Sequence, residues 1–196
     1  MANTDRPSGF KPVRYLNGAP WNGQVNIYYL AAGDGTATFI GDAVVSAGSA
    51  DATGHYPTVQ QATNNQNIRG VIVGFSNTPY VNFDVTESSR VYRPGLTAMY
   101  CALVDDPNVI FEVQEDSDTS TLDADSVGQN ADIVVGSGNT TTGLSAMELD
   151  SDSPSTTASA QCRILGLVNR EDNELGTNAK WLVVFNEHEF KSTTGV

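Results

Sequence analysis

The sequence predicts an all-β protein, with a single β-sandwich or β-barrel domain, long loops and an extended N-terminal arm. Hydrophobic residues make up 39% of the 196 positions and charged residues only 17%, and Gly, Ser, Thr, Asn and Asp supply much of the rest. This mixture favours short strands joined by many turns. Apolar residues often alternate with polar ones, and no 3.6-residue apolar repeat is sustained over three turns. Turn-forming groups such as Asn17-Gly18 and Arg93-Pro94-Gly95 punctuate the apolar runs.

Two kinds of strand are predicted. Period-two alternation predicts half-buried strands in which Val25, Ile27 and Tyr29 share one face. The same pattern places Val109, Phe111 and Val113 on one face, with Glu112 and Gln114 opposite. Four runs are apolar on both faces and are therefore expected to be central strands or strands with one face in a subunit contact: residues 71–75, 98–104, 164–168 and 181–185.

Three segments depart from this pattern. Residues 1–23 contain three prolines and little alternation, which predicts an extended arm ahead of a β domain over residues 24–196. Within that domain, the polar segments at about 46–67 and 136–160 are expected to be irregular excursions. One helical turn is indicated at Leu122–Val127, with Thr121 or Asp123 as its cap.

The net charge of −13 is confined to the second half of the chain. Residues 1–100 carry six acids and six bases, whereas residues 101–196 carry seventeen acids and four bases. An acidic surface repels phosphate groups, so neither nucleic acid nor an anionic membrane is an expected partner. Because residues 1–10 lack the apolar core of a signal peptide and no apolar run approaches bilayer length, we expect a protein that is not exported by that route.

The segment FEVQEDSDTSTLDADSVGQNADIVVG (111–136) places seven carboxylates between two apolar runs. Asp116, Asp118 and Ser120 match the first ligand positions of an EF-hand loop, but Thr121 stands where glycine is needed and Val127 where glutamate is needed. A cation site built from oxygen ligands in an arrangement other than the EF-hand stays an open alternative. Carboxylates in such a loop are expected to be solvated, and a glycosidase acid needs burial. We therefore predict an acidic surface that faces water or a basic partner patch: Glu115, Asp116, Asp118, Asp123 and Asp125.

No catalytic residue and no cofactor is predicted. His55 and His188 are interpreted as surface or capping residues, and the sequence after His188 does not match the H-E-x-x-H zinc pattern. Cys101 and Cys162 lie among strand-forming residues and are expected to be small buried side chains. A β domain with an extended arm, strands that are apolar on both faces and one acidic flank fits a structural building block better than an enzyme, because an oligomer buries such strands.

Several segments together resemble small structural proteins of tailed bacteriophages. They are FKPVRYLNGAPW (10–21), GDAVV (41–45) with IRGVIVGF (68–75), the FEVQEDSD run and the ending VVFNEHEF (183–190). The nearest description is a capsid decoration, or cement, protein. The resemblance implies a β-rich homotrimer without a cofactor that binds the major capsid protein. It also implies assembly in the host cytoplasm and a place on the outer surface of the virion, between capsomers, where the protein stabilises the shell.

The arm supplies the candidate partner-binding residues. Buried aromatic and Arg side chains dominate many interfaces, so we hypothesise docking through Phe10, Arg14, Tyr15 and Trp21. The alternative is that these residues cap the domain's own core. Other functions also remain open: a head–tail or tail-fibre component, a carbohydrate-binding β-sandwich, and then a soluble enzyme.

Overall fold

The computed structural model describes residues 3–79 and 90–192, which form twelve β-strands and two single-turn 3₁₀ helices. The strands are β1 (Lys11–Tyr15), β2 (Asn26–Leu30), β3 (Ala43–Ala50), β4 (Pro57–Gln61), β5 (Gly70–Ser76), β6 (Met99–Val104), β7 (Val109–Gln114), β8 (Asn130–Ala131), β9 (Ile133–Val134), β10 (Glu148–Leu149), β11 (Cys162–Leu167) and β12 (Lys180–Phe185). The 3₁₀ helices span Ala124–Ser126 and Glu189–Lys191. The predicted all-β class is confirmed.

Five strands close into a small barrel in the order β2-β4-β3-β5-β6. The β2–β4 pairing is parallel and the other pairings are antiparallel. Leu30, Val44, Ile72 and Leu103 are fully buried in a cluster formed by the barrel strands. Closure pairs both edges of the barrel sheet, so these strands leave no open edge for aggregation.

The four remaining long strands and the two-residue β8 form an antiparallel sheet in the order β1-β7-β12-β11-β8, beside a two-stranded β9–β10 ladder. The main hydrophobic core joins this sheet to the barrel. It contains Phe111 and Trp181 from the sheet and Val71 and Val104 from the barrel. The four runs predicted to be central correspond to β5, β6, β11 and β12, each of which has a strand on both sides.

The expected excursion at 46–67 is wrong, because it contains the end of β3 and all of β4. The turn between β3 and β4 is held by Asp51. Its carboxylate accepts hydrogen bonds from the backbone N–H groups of His55 and Tyr56 at 3.0 and 3.2 Å. A carboxylate that caps a turn in this way lets a polar segment form a hairpin. The segment at 136–160 is mostly irregular, with β10 inside it, and Met147 and Leu149 insert into the main core.

Candidate functional site

The arm forms an extended hairpin along the edge of the sheet; we call residues 11–21 the arm hairpin. On one side β1 pairs with β7. On the other side the chain folds back, so that Tyr15 N donates to Ala19 O at 2.8 Å and Trp21 N donates to Val13 O at 3.1 Å. The turn at its tip is closed by a 2.9 Å bond from Gly18 N to Tyr15 O, and Gly18 has a φ of +89°, a conformation that favours glycine. Both edges of β1 are therefore used.

Phe10 anchors the base of the arm hairpin in the protein's own core. Its side chain is 1% exposed, and its ring lies 5.2 Å from the ring of Phe185 and 6.4 Å from that of Phe111. The hypothesis that Phe10 is a docking residue is thus wrong for this conformation, because the ring is already desolvated. Its role is the alternative one, packing of the arm against the core.

Tyr15 and Trp21 brace the arm hairpin. Both pack in part against the main core. The Tyr15 hydroxyl donates to Gln24 Oε1 at 2.8 Å, and the Trp21 indole N–H donates to the Gln24 carbonyl at 3.3 Å. Gln24 therefore fixes the orientation of both aromatic side chains.

Among the residues that the arm hairpin presents to solvent are Arg14 and two apolar side chains that the sequence prediction missed. Val13 is 40% exposed and Leu16 is 49% exposed. A β-bulge between Pro12 and Arg14 shifts the register against β7, and a bulge of this kind redirects a side chain. Simple alternation cannot locate a bulge, so the exposure of Val13 had no clear signal in the sequence. Lys11 and Arg14 are exposed and form no ion pair with another described residue.

Glu115, expected on the acidic surface, is buried. It is 0% exposed, and its carboxylate accepts hydrogen bonds from Leu122 N at 2.9 Å, Ser117 Oγ at 2.8 Å and Trp181 Nε1 at 3.1 Å. Burial raises its pKa, while these hydrogen bonds oppose the shift. The expectation is wrong because Trp181 lies 66 positions away and supplies an indole donor that no local pattern reveals.

The other predicted acidic residues are arranged as structural caps and exposed charges. Asp118, Asp123 and Asp125 are exposed, and Asp116 is half-buried where it accepts from the Ser151 N–H and hydroxyl at 3.0 and 2.8 Å. Asp123 is the N-cap of the first 3₁₀ helix, in a capping box with Ser126. The helical turn predicted at Leu122–Val127 is present as a shorter 3₁₀ turn, Ala124–Ser126, and of the two predicted caps, Thr121 and Asp123, it is Asp123 that caps it.

A second group of carboxylates surrounds the half-buried Glu148. Gln114 links Glu148 to Asp5, because its amide nitrogen donates to a carboxylate oxygen of each residue at 3.0 Å. Burial, together with the nearby charges of Asp5 and Asp116, raises the pKa of Glu148 to about 7, against the hydrogen bond from Gln114. Within residues 3–79 and 90–192, no group of three or more His, Cys, Asp or Glu side chains has an arrangement that could hold a metal ion.

His188 and the two cysteines take the structural positions expected for them. His188 caps the second 3₁₀ helix by accepting a hydrogen bond from Phe190 N at Nδ1. It is only 2% exposed, so it is a buried cap and not a surface residue. Cys101 and Cys162 are free and buried, and burial raises the pKa of both thiols, that of Cys101 to about 12.

The chain matches no protein-family model, no curated protein and no solved structure. Of the helices in the described part, none is long and apolar enough to cross a membrane.

Proposed function

We propose that the protein is a structural virion component that docks on the outside of a phage capsid and stabilises the shell between capsomers. The observation that carries this proposal is the arm hairpin, which projects Val13, Arg14 and Leu16 into solvent from a base that Phe10 fixes in the core. Exposed apolar residues beside an Arg are a common composition for the centre of a protein–protein contact.

The rigidity of the arm hairpin favours docking. Hydrogen bonds on both edges of β1 and the Tyr15–Gln24 contact hold the backbone of the hairpin in place before any partner binds. Ordering a flexible side chain costs about 0.5–1.5 kcal/mol on association. A hairpin whose backbone is ordered in advance avoids the separate cost of ordering a loop, so that only its exposed side chains remain to be ordered.

Charge also supports a protein partner. The arm hairpin carries Lys11 and Arg14 and no acid, whereas the chain as a whole has a net charge of −13. The cations of the arm hairpin and the carboxylates of Asp118, Asp123 and Asp125 are thus exposed groups of opposite charge. If the acidic surface faces a basic patch on the shell, docking weakens as salt is added, since exposed charges are screened within about 8 Å at physiological ionic strength.

The test is co-sedimentation of the purified protein with heads that lack it. The double variant Val13→Ser, Leu16→Ser removes the exposed apolar surface and keeps the Phe10 anchor. We expect its binding to fall by about tenfold or more, which corresponds to about 1.4 kcal/mol. Leu175→Ser is the matched control, because Leu175 is also exposed, at 52%, and lies outside the arm hairpin. Binding that is unchanged in a folded double variant would contradict docking through this surface.

A carbohydrate-binding module is the second candidate function. Three half-buried tyrosines meet at the barrel, with ring centroids 5.3 Å apart for Tyr29 and Tyr100 and 5.4 Å apart for Tyr56 and Tyr100. Partly exposed aromatic rings can stack on sugar rings, and their hydroxyl groups can hydrogen-bond to sugar hydroxyls. Protein that sediments with a neutral polysaccharide and not with heads would favour this function over shell docking.

A further inference from the structure

A pocket of about 270 Å³ lies beside the arm hairpin. Tyr15 of the arm hairpin and Gln24, which fixes the orientation of Tyr15, line part of it. Asp105 and Asp106, from the turn that joins β6 to β7, bring two carboxylates to the same pocket. We call it the Asp105 pocket, because the chemistry of that residue decides what it can bind.

Asp105 is a buried carboxylate whose hydrogen-bond donors are all neutral. It is 7% exposed. Its oxygens accept hydrogen bonds from Asn26 Nδ2 at 2.9 and 3.1 Å and from the Tyr28 hydroxyl at 2.6 Å. Burial and the hydrogen bond to Asp105 raise the pKa of Tyr28, so its hydroxyl stays a donor. A carboxylate has about four acceptor positions, and these contacts leave one of them unused.

The cation nearest to this network in the hydrogen-bond chain, Arg69, is engaged elsewhere. Its Nε donates to the Tyr28 hydroxyl at 3.0 Å, and its Nη1 forms an ion pair with Glu189 at 3.3 Å. Within residues 3–79 and 90–192, neither Asp105 nor Asp106 forms an ion pair. Buried charges in proteins are usually paired with an opposite charge. The carboxylate of Asp105 is therefore available to a cation that comes from outside the chain.

Asp106 adds an exposed carboxylate to the pocket. Its Oδ1 accepts hydrogen bonds from the backbone and side-chain N–H groups of Asn108 at 2.8 and 3.0 Å, and its Oδ2 has no hydrogen-bond partner in the described part of the chain. The half-buried Tyr15 and Val25 give the same pocket apolar surface. This combination suits a Lys or Arg side chain, whose aliphatic stem packs along apolar surface while its charged end meets carboxylates.

A divalent metal ion fits the pocket less well. Calcium takes about six to eight oxygen ligands. No group of three or more His, Cys, Asp or Glu side chains among the described residues could hold a metal ion. A single positive charge that carries its own hydrogen-bond donors needs only the two carboxylates.

The Asp105 pocket is continuous with the exposed part of the arm hairpin. Tyr15, which lines the pocket, immediately precedes Leu16, which is 49% exposed. Leu16 N donates to Asn108 O at 2.8 Å, and Asn108 in turn contacts the Asp106 carboxylate. A partner that covers Leu16 therefore lies next to the pocket as well.

We propose that the Asp105 pocket receives a lysine or arginine side chain of the partner protein that contacts the arm hairpin. The ammonium or guanidinium group pairs with Asp105 and Asp106, while apolar residues of the partner cover Leu16. This inference rests on the proposed function for the identity of the partner, the capsid shell, and on the pocket alone for the chemistry of the contact. The site differs from the acidic surface predicted from the sequence, none of whose residues lines this pocket.

The first test titrates the purified protein with n-butylammonium chloride at constant ionic strength. The side-chain amide of Asn26 is followed by proton–nitrogen NMR, because it donates to Asp105. We expect saturable shifts with a Kd of about 1–10 mM, as for a very small ligand. The uncharged n-butanol should produce no such shifts. A parallel titration with n-propylguanidinium shows whether the pocket prefers the lysine or the arginine head group, and saturable binding of either supports the proposal.

Variants assign this binding to the two carboxylates. Asp105→Asn should raise the Kd for n-butylammonium by at least about tenfold and Asp106→Asn by about threefold. Asp106→Lys should abolish binding, and because Asp106 is exposed, this variant serves even if Asp105→Asn fails to fold. Asp125→Asn removes the same charge from an exposed position outside the pocket and should bind like the wild-type chain.

Three results would overturn the proposal. The first is no saturable shift with either cation up to about 50 mM. The second is an equal response to n-butanol, which would make the pocket an apolar one. The third is tighter binding of calcium chloride at the same carboxylates, which would make it a metal site.

Co-sedimentation with heads connects the pocket to docking. Asp106→Lys should weaken binding to heads by at least about tenfold, whereas Asp125→Lys should not. If the double variant Val13→Ser, Leu16→Ser loses binding and Asp106→Lys binds like the wild-type chain, docking through the arm hairpin stands and the present inference is wrong. If the wild-type chain itself does not sediment with heads, the proposed function is wrong, and the titration with n-butylammonium still decides whether the pocket binds a cation.

Discussion

Protonation of His188 should destabilise the protein in acid. Its Nδ1 accepts the hydrogen bond from Phe190 N at 3.1 Å, so the nitrogen must be unprotonated for the second 3₁₀ helix to be capped. Burial lowers the pKa of His188 from 6.5 to about 4, and the nearby charges of Lys191 and Arg69 add to the shift. Asp105 and Asp106 oppose it.

The sign and size follow from linkage between protonation and folding. Above pH 6.5 His188 is neutral in both the folded and the unfolded state, and its full contribution to stability is present. Between pH 6.5 and about 4 the unfolded chain takes up a proton that the folded protein does not, so the free energy of unfolding falls as the pH falls. The complete loss is about 3 kcal/mol, with most of it reached by pH 4.5.

The variant that isolates this effect is His188→Asn. An asparagine side chain can still accept the capping hydrogen bond, but it does not titrate. We expect the variant to be less stable than the wild-type chain at pH 7.5, because it packs less well against Phe190, whose ring lies 5.7 Å from that of His188. The difference should shrink by about 2–3 kcal/mol at pH 4.5. Urea unfolding at both pH values measures it, and parallel pH profiles for the two proteins would refute the reasoning.

Two more predictions concern Glu148 and Phe10. The contribution of Glu148 to stability should depend on pH in the opposite direction to that of His188. Because the pKa of Glu148 is raised to about 7, its contribution is complete below pH 4.5 and is lost as the pH rises through 7. Glu148→Gln removes this dependence. The variant should therefore gain about 1–2 kcal/mol relative to the wild-type chain at pH 8, allowing for partial exposure, and little at pH 4.5; equal gains at both pH values in urea unfolding would contradict this explanation. Phe10→Ala should lower the free energy of unfolding by about 3–5 kcal/mol, because it leaves a cavity between two other phenylalanines. The exposed Leu175→Ala should cost less than about 0.5 kcal/mol in the same denaturant titration, and a similarly small loss for Phe10→Ala would show that the arm does not depend on this anchor.

The strands that the sequence predicted most accurately are the interior ones, which appear as continuous apolar runs. Runs such as 71–75 and 181–185 have no polar side chain, and each is an interior strand in which most residues are buried. Alternation was less informative for β2. Tyr28 and Leu30 are the buried pair, while Ile27 and Tyr29 are only half-buried. The barrel places the Tyr28 hydroxyl against Asp105, 77 positions away, and this tertiary hydrogen bond at 2.6 Å is invisible to a local pattern.

The candidate site was predictable in its location and not in its detail. Prolines and aromatics indicated the arm, but its exposed surface depends on a bulge at Val13 and on the burial of Phe10 by rings from two distant strands. The turn at Arg93-Pro94-Gly95 was evident from residue types. The positive φ of the next residue follows from the contacts of Arg93 and Gly95 with segment 31–36, which residue types alone do not specify.

The two exposed apolar surfaces share one construction, in which a fully buried side chain close in sequence holds the exposed one. Phe10 fixes the arm hairpin, and Arg93 fixes the loop that carries Leu96, a residue that is 70% exposed and has a φ of +57°; Phe10 and Arg93 are each at most 1% exposed. The energetic consequences nevertheless differ. At Phe10 the stability of the fold and the position of the exposed side chains depend on the same ring, because its loss detaches the arm hairpin from the core. At Leu96 they are opposed, because the conformation that presents the leucine also strains the backbone. A substitution that stabilises the folded protein, such as Leu96→Asn, is therefore expected at Leu96 and not at Phe10.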